Sequence, residues 1–312
     1  MLLAKPIGSR TLVQRLAALI LFPLGLLYGQ ATNPLELIKQ ETPPANERIV
    51  YGKDPLQFGE LRLPAGAGPF PVAILVHGGC WSARLGKLPE PVTSFELLRP
   101  MAAALAKAGI ASWNIEYRRL GNEGGGWPGT YLDLSRAADH LRELATRHHL
   151  DLKHAIAIGH SSGGQLALWL AAREKLPKGS VLHTDSPLPL KGVVSVDGPP
   201  DLDAARAIEQ SVCGGPVITQ FVGGTPAEVP DRYREGSASG LLPIGVKQEL
   251  LVASNREGWL GLFKGYVAAA EKAGDPVRMP IMEGANHFDG INPQAPAWET
   301  VMASVRLLLR AP

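Results

Sequence analysis

Only two cysteines, Cys80 and Cys213, occur in the 312 residues. That scarcity excludes a cysteine-stapled small scaffold and a zinc site built on thiolates. Basic runs and basic patches interleaved with aromatics are missing too, and the formal charge is only +2. Nothing therefore points to nucleic acid as a partner. The histidines are dispersed and lack carboxylates at ligand spacing, so neither a metal nor another cofactor is expected. No apolar run is long enough for a comfortable membrane span, and the nearest, LAALILFPLGLLYG, contains Pro23. What the chain does have is apolar bulk, 45% of its residues, enough for a large core and against disorder.

Residues 1–31 stand apart. Lys5, Arg10 and Arg15 precede the apolar run, and the small residues of GQA follow it. This order reads as a signal peptide with cleavage after Ala31, an uncleaved N-terminal anchor being the alternative. The mature chain then has no membrane span and is exported, periplasmic or extracellular. The polar, Pro-containing residues 32–44 read as a linker, and residues 45–312 as one domain.

Within that domain, short apolar runs alternate with amphipathic segments. PVAILVH, IASWNIEYR, HAIAIGH, GVVSVDG, QELLVAS and VRMPIME read as strands, most of them apolar throughout, as in a parallel sheet covered on both faces. Between them, SFELLRPMAAALAKAG, YLDLSRAADHLRELATRHH, QLALWLAAREK and WLGLFKGYVAAAEKAG have helical periodicity. The fold class is α/β, a mostly parallel central sheet flanked by helices. Residues 201–243, rich in Gly and Pro, read as an irregular cap insertion.

The turn GHSSGG, residues 159–164, joins HAIAI to a helix. It lacks the Lys of a phosphate loop and the glycine spacing of a dinucleotide site, and a plain helix cap needs one serine and none of the glycines. Gly159-His160-Ser161-Ser162-Gly163 does match the G-x-S-x-G elbow, in which a strained turn lifts a nucleophilic serine above the sheet. Ser161 is the expected nucleophile. Its base should come last in the chain, and His287 in EGANHFDG follows the final strand. His148, His149 and His154 lie at the opposite sheet end, and His183 in a polar loop. HGGCW, residues 77–81, ends an earlier strand; the N–H groups of Gly79 and Cys80, with Ser162, are expected to face a developing oxyanion.

Together HGGCW, GHSSGG and GANHF resemble the α/β-hydrolase fold, specifically carboxylesterases of the hormone-sensitive-lipase and arylformamidase type. EYRRLGNEGGGWPGTYLD, VDGPPDL and FVGGTPAE are similar to segments of that group as well. The resemblance implies an acyl-enzyme mechanism on carboxylic esters of small to medium substrates, with Ser161 as nucleophile and His287 as base. It also implies an acid after QELLV, in a motif like HG-x-x-D. Here the chain reads ASNREGW instead. Glu257 is the expected acid, with Asn255 as an alternative that would only orient the imidazole; Asp201 and Glu283 are weaker candidates, and Asp289 is too close to its own His.

Amide or peptide hydrolysis is the alternative chemistry, and a non-catalytic binding module the alternative outside enzymes. Trp81, Trp113 and Trp127 either line an aromatic pocket or pack the core. Cys80 and Cys213 either form a bridge from the oxyanion loop to the cap or remain two free thiols.

Overall fold

The computed structural model describes residue 1 and residues 31–84, 94–253 and 257–310, with the side chain of residue 257 excepted. Nine strands form the sheet: β1 (Glu47–Val50), β2 (Phe58–Arg62), β3 (Phe70–Val76), β4 (Ala111–Ile115), β5 (Leu150–His160), β6 (Gly192–Val196), β7 (Lys247–Ala253), β8 (Val277–Arg278) and β9 (Ile281–Met282). Their order is β1-β2-β4-β3-β5-β6-β7-β8, with β9 also paired to β7. β1 and β2 pair antiparallel to their neighbours, and every pair from β4 onward is parallel.

The continuous apolar runs are explained by burial on two faces. Along β3, Val72, Ile74 and Val76 enter one core cluster, while Ala73 and Leu75 enter the other. That is the two-residue period of a strand carried into two layers. The first cluster packs against α3 (Gly129–Asp139), α4 (Leu141–His148), α5 (Ser162–Ala172) and α10 (Glu257–Lys272). The second packs against α2 (Arg99–Lys107) and α11 (Trp298–Leu309).

Several expectations change in detail. VRMPIME is not one strand: Pro280 has no N–H for the ladder, and pairing survives only as β8 and β9, two residues each. The helix expected over YLDLSRAADHLRELATRHH breaks at His140 into α3 and α4. Residues 32–44 are not a free linker. They include the short helix α1 (Pro34–Leu37), whose Leu37 is buried in the second core cluster. Residues 201–243 are not irregular but hold four short helices, α6 (Leu202–Ala205), α7 (Glu209–Cys213), α8 (Val217–Val222) and α9 (Pro230–Gly236). Their brevity hid them, because apolar periodicity needs several turns to register. The signal-peptide reading of residues 1–31 falls almost wholly outside the described residues. Among the described residues, no helix is long and apolar enough to cross a membrane.

Candidate active site

β5 ends at His160, and α5 begins at Ser162. Between them Ser161 has φ 56° and ψ −128°, a left-handed backbone that non-glycine residues seldom adopt. Two glycines permit the bend. A Cβ on Gly159 would strike the Gly163 carbonyl, and one on Gly163 would strike the carbonyls of Val76 and His77. Ser161 N–H donates to the Val196 carbonyl at 2.8 Å, anchoring the turn to the neighbouring strand.

The HGG loop crosses directly beside this turn, where a Cβ on Gly78 would meet the His160 carbonyl and Ser161 Cβ. Gly79, Cys80 and Trp81 all have positive φ, at 109°, 51° and 54°. Ser162 Oγ accepts from Trp81 N–H at 3.2 Å, so the second serine clips the loop to the elbow. No acceptor among the described residues takes the N–H groups of Gly79, Cys80 or Ser162. Behind the loop, His77 Nε2 lies 2.9 Å from Glu116 Oε1, and Arg119 lies on the other carboxylate oxygen. Burial pushes the Glu116 carboxyl up, but His77, Arg119 and the Tyr117 N–H outweigh it and hold the group below the usual carboxylate range.

His287 lies in the turn after β9, and its Nδ1 is 3.0 Å from Asp197 Oδ2. Among the described residues, Asp197 is thus the carboxylate at the imidazole, where Glu257 was expected. The side chain of Glu257 and the whole of Asn255 lie outside the described residues. Asp201 instead caps α6, accepting from Ala204 N–H at 2.9 Å. Asp197 is fully buried with φ 49°. Its N–H donates to the Leu251 carbonyl and its Oδ1 accepts from Ala253 N–H at 2.9 Å. The β5–β6 register explains the juxtaposition. His160 pairs with Val196, so Ser161 and Asp197 are the next residues off adjacent strand ends. That position was the available signal: a carboxylate at the carboxyl end of a buried strand beside the elbow strand, where sites of open α/β sheets gather.

His160, inside the elbow, donates from Nε2 to the His287 carbonyl at 2.8 Å, and the two rings are 4.6 Å apart. The far side of the same turn is held by the N-terminal segment. Asp289 Oδ1 accepts from Thr32 N–H at 2.8 Å, Asp289 Oδ2 accepts from Asn286 N–H, and Asn286 Nδ2 donates to the Thr32 carbonyl at 2.9 Å.

Ser161, Ser162, Trp81 and Cys80 line one wall of a cavity, with cap residues and Trp259 opposite; it holds about 290 Å³ of atom-free space, part of it open to solvent. Trp259, which the sequence reading did not single out, lies 6.0 Å ring to ring from His287. Of the three tryptophans considered, Trp81 lines the cavity, Trp113 is core with Nε1–H on the Ala137 carbonyl, and Trp127 packs on Tyr131.

Cys80 and Cys213 are joined in a disulfide across 133 residues of chain, settling the two alternatives in favour of the bridge. It ties the HGG loop to α7. Closing so long a loop restricts the unfolded chain strongly. Replacing both cysteines by alanine is therefore expected to lower stability by about 2–5 kcal/mol, read as a fall in the urea midpoint.

Comparisons with known proteins agree with this architecture. A truncated carbohydrate esterase from gut microbiota has a similar structure, with 18% identity, a TM-score of 0.65, and coverage of 85% of this chain and 98% of that one. An inhibited esterase B from Lactobacillus rhamnosis gives 18%, 0.73, 88% and 90% on the same measures. A thermophilic esterase from the planctomycete Thermogutta terrifontis gives 17%, 0.66, 85% and 92%. No curated protein matches the sequence. Residues 60–241 match the family described as BD-FAE, a span that takes in the oxyanion loop, the elbow, Asp197 and most of the cap. With the α/β-hydrolase fold established and more than half of its length matched, the chain belongs to the BD-FAE family.

Proposed function

We propose that the protein is a serine hydrolase of carboxylic esters, working through an acyl-enzyme. The observation that carries this reading is the pairing of buried Asp197 with half-buried His287 beside a strained serine turn. Ser161 Oγ attacks the ester carbonyl while His287 Nε2 takes its proton. Asp197 holds the Nδ1–H tautomer and stabilises the imidazolium. The N–H groups of Gly79, Cys80 and Ser162 receive the oxyanion. Collapse expels the alcohol with a proton from His287, and water activated by the same ring frees the acid. The solved neighbours whose printed names are esterases support an ester over an amide or peptide bond.

Export is part of the same proposal. The Cys80–Cys213 bridge suits an oxidising compartment, and the basic-then-apolar order of residues 1–31 suits a cleaved leader.

The test is kinetic. The purified protein is expected to hydrolyse p-nitrophenyl acetate and butyrate, and to be labelled by a fluorophosphonate at Ser161. Failure of both, or labelling at another residue, overturns the proposal.

A further inference from the structure

The cap carries one carboxylate into the cavity. Glu209, the first residue of α7, is only 8% exposed, yet it lines the same space as Ser161, Ser162 and Trp259. The other described lining residues are uncharged, and around Glu209 they are mostly apolar, among them Ala205, Ile208, Val212 and Ile218. Its Oε2 accepts from Ile218 N–H at 2.8 Å. Among the described residues no Lys, Arg or His pairs with it, and its second oxygen takes no protein donor and stays open to water in the cavity.

A carboxylate offers about four lone-pair sites, and those left over here are met by water until a ligand displaces it. One N–H satisfies little of that capacity. Holding the first turn of α8 occupies one oxygen only. The other has a consequence for binding: whatever enters the cavity and displaces its water must supply a donor in return.

We propose that Glu209 determines substrate specificity, selecting esters whose cavity-bound part is apolar along its length and ends in a hydrogen-bond donor, a hydroxyl or an ammonium. This rests on the ester-hydrolase reading above. The donor is seated by Oε1 of Glu209 and the apolar stem by Ile208, Val212 and Ile218, while the ester carbonyl reaches Ser161. Substrates ending in a methyl group leave the oxygen unmatched. A site built to bond a polar group rejects the analogue lacking it far more strongly than it rejects a change of one methylene.

The experiment compares p-nitrophenyl butyrate with its isosteres ending in a hydroxyl and in an ammonium, then repeats the three ends on a hexanoate-length chain. Matching acetates of the corresponding alcohols cover entry from the leaving-group side. For the wild type, kcat/KM is expected to favour a donor-ended ester by about 10–100-fold over its methyl-ended partner, the range expected of a hydrogen bond to a charged group. E209Q keeps an acceptor for the Ile218 N–H and puts an NH₂ in place of Oε1, a group that a hydroxyl can still accept from and an ammonium cannot; E209L removes both.

Loss of the preference in E209Q identifies an ammonium. Retention in E209Q with loss in E209L identifies a hydroxyl. Either result supports the assignment. An equal ratio in wild type and E209L, or no preference in the wild type, overturns it. Titration of wild type and both variants with butylammonium and with butanol, followed by calorimetry, reads the same group without turnover. A protein that binds one of them through Glu209 yet cleaves no ester would sink the hydrolase reading and keep the subsite. A protein that cleaves esters yet binds neither, or binds them equally in E209L, would do the reverse.

Discussion

Replacing Ser161 by alanine lowers ester turnover by a factor on the order of 10⁵–10⁶, the size seen when a serine nucleophile is removed from such a unit. Folding should be nearly untouched. The positive φ of 56° strains an alanine about as much as a serine, and the turn is held by backbone bonds through the Ser161 N–H and carbonyl, which remain. The melting temperature is therefore expected to stay close to wild type while fluorophosphonate labelling vanishes. Ser162→Ala gives the contrast. It loses the hydroxyl that receives Trp81 N–H, which loosens the oxyanion loop, but it keeps the attacking group. Its turnover should fall much less, and labelling should persist. Side-by-side kinetics and intact-mass labelling of the two variants separate the serines.

Asp197→Asn is expected to lower kcat/KM by about 10⁴-fold. The amide oxygen can still accept from Ala253 N–H, where Oδ1 now does. Its NH₂ then faces His287 Nδ1 and forces the ring proton onto Nε2, leaving no base toward Ser161. Glu257→Gln and Asn255→Ala, in contrast, should leave kcat/KM within about threefold, because the imidazole already has its carboxylate on the neighbouring strand end. If Glu257→Gln fell as far as Asp197→Asn, the acid would belong to the turn after β7 instead. A proton-resonance measurement of the Nδ1–H signal in both variants would show which carboxylate it faces.

Much of this site could be read in advance, and the reason is local. The elbow declares itself in five consecutive residues because one strained turn needs small neighbours on both sides, as Gly159 and Gly163 provide. HGGCW is legible for a similar reason, since three successive positive φ values concentrate in one loop. Asp197 was missed because its role is a matter of register. Nothing within VDGPP marks the aspartate until β5 and β6 are aligned and His160 is seen opposite Val196. The resemblance drew attention to the turn after β7, whereas the described carboxylate on His287 stands one strand earlier. The cap helices escaped because four to seven residues cannot display a helical stripe. Trp259 was passed over among the aromatics because only the tertiary packing brings α10 against His287.

The bonds between Thr32 and the turn carrying His287 bear on how the protein is handled at the bench. Trimming the chain at residue 31 keeps both of them, whereas trimming back to the first strand strips a partner from Asp289 and another from Asn286. Activity compared between differently trimmed versions will therefore report on the turn carrying His287 as much as on the residues removed.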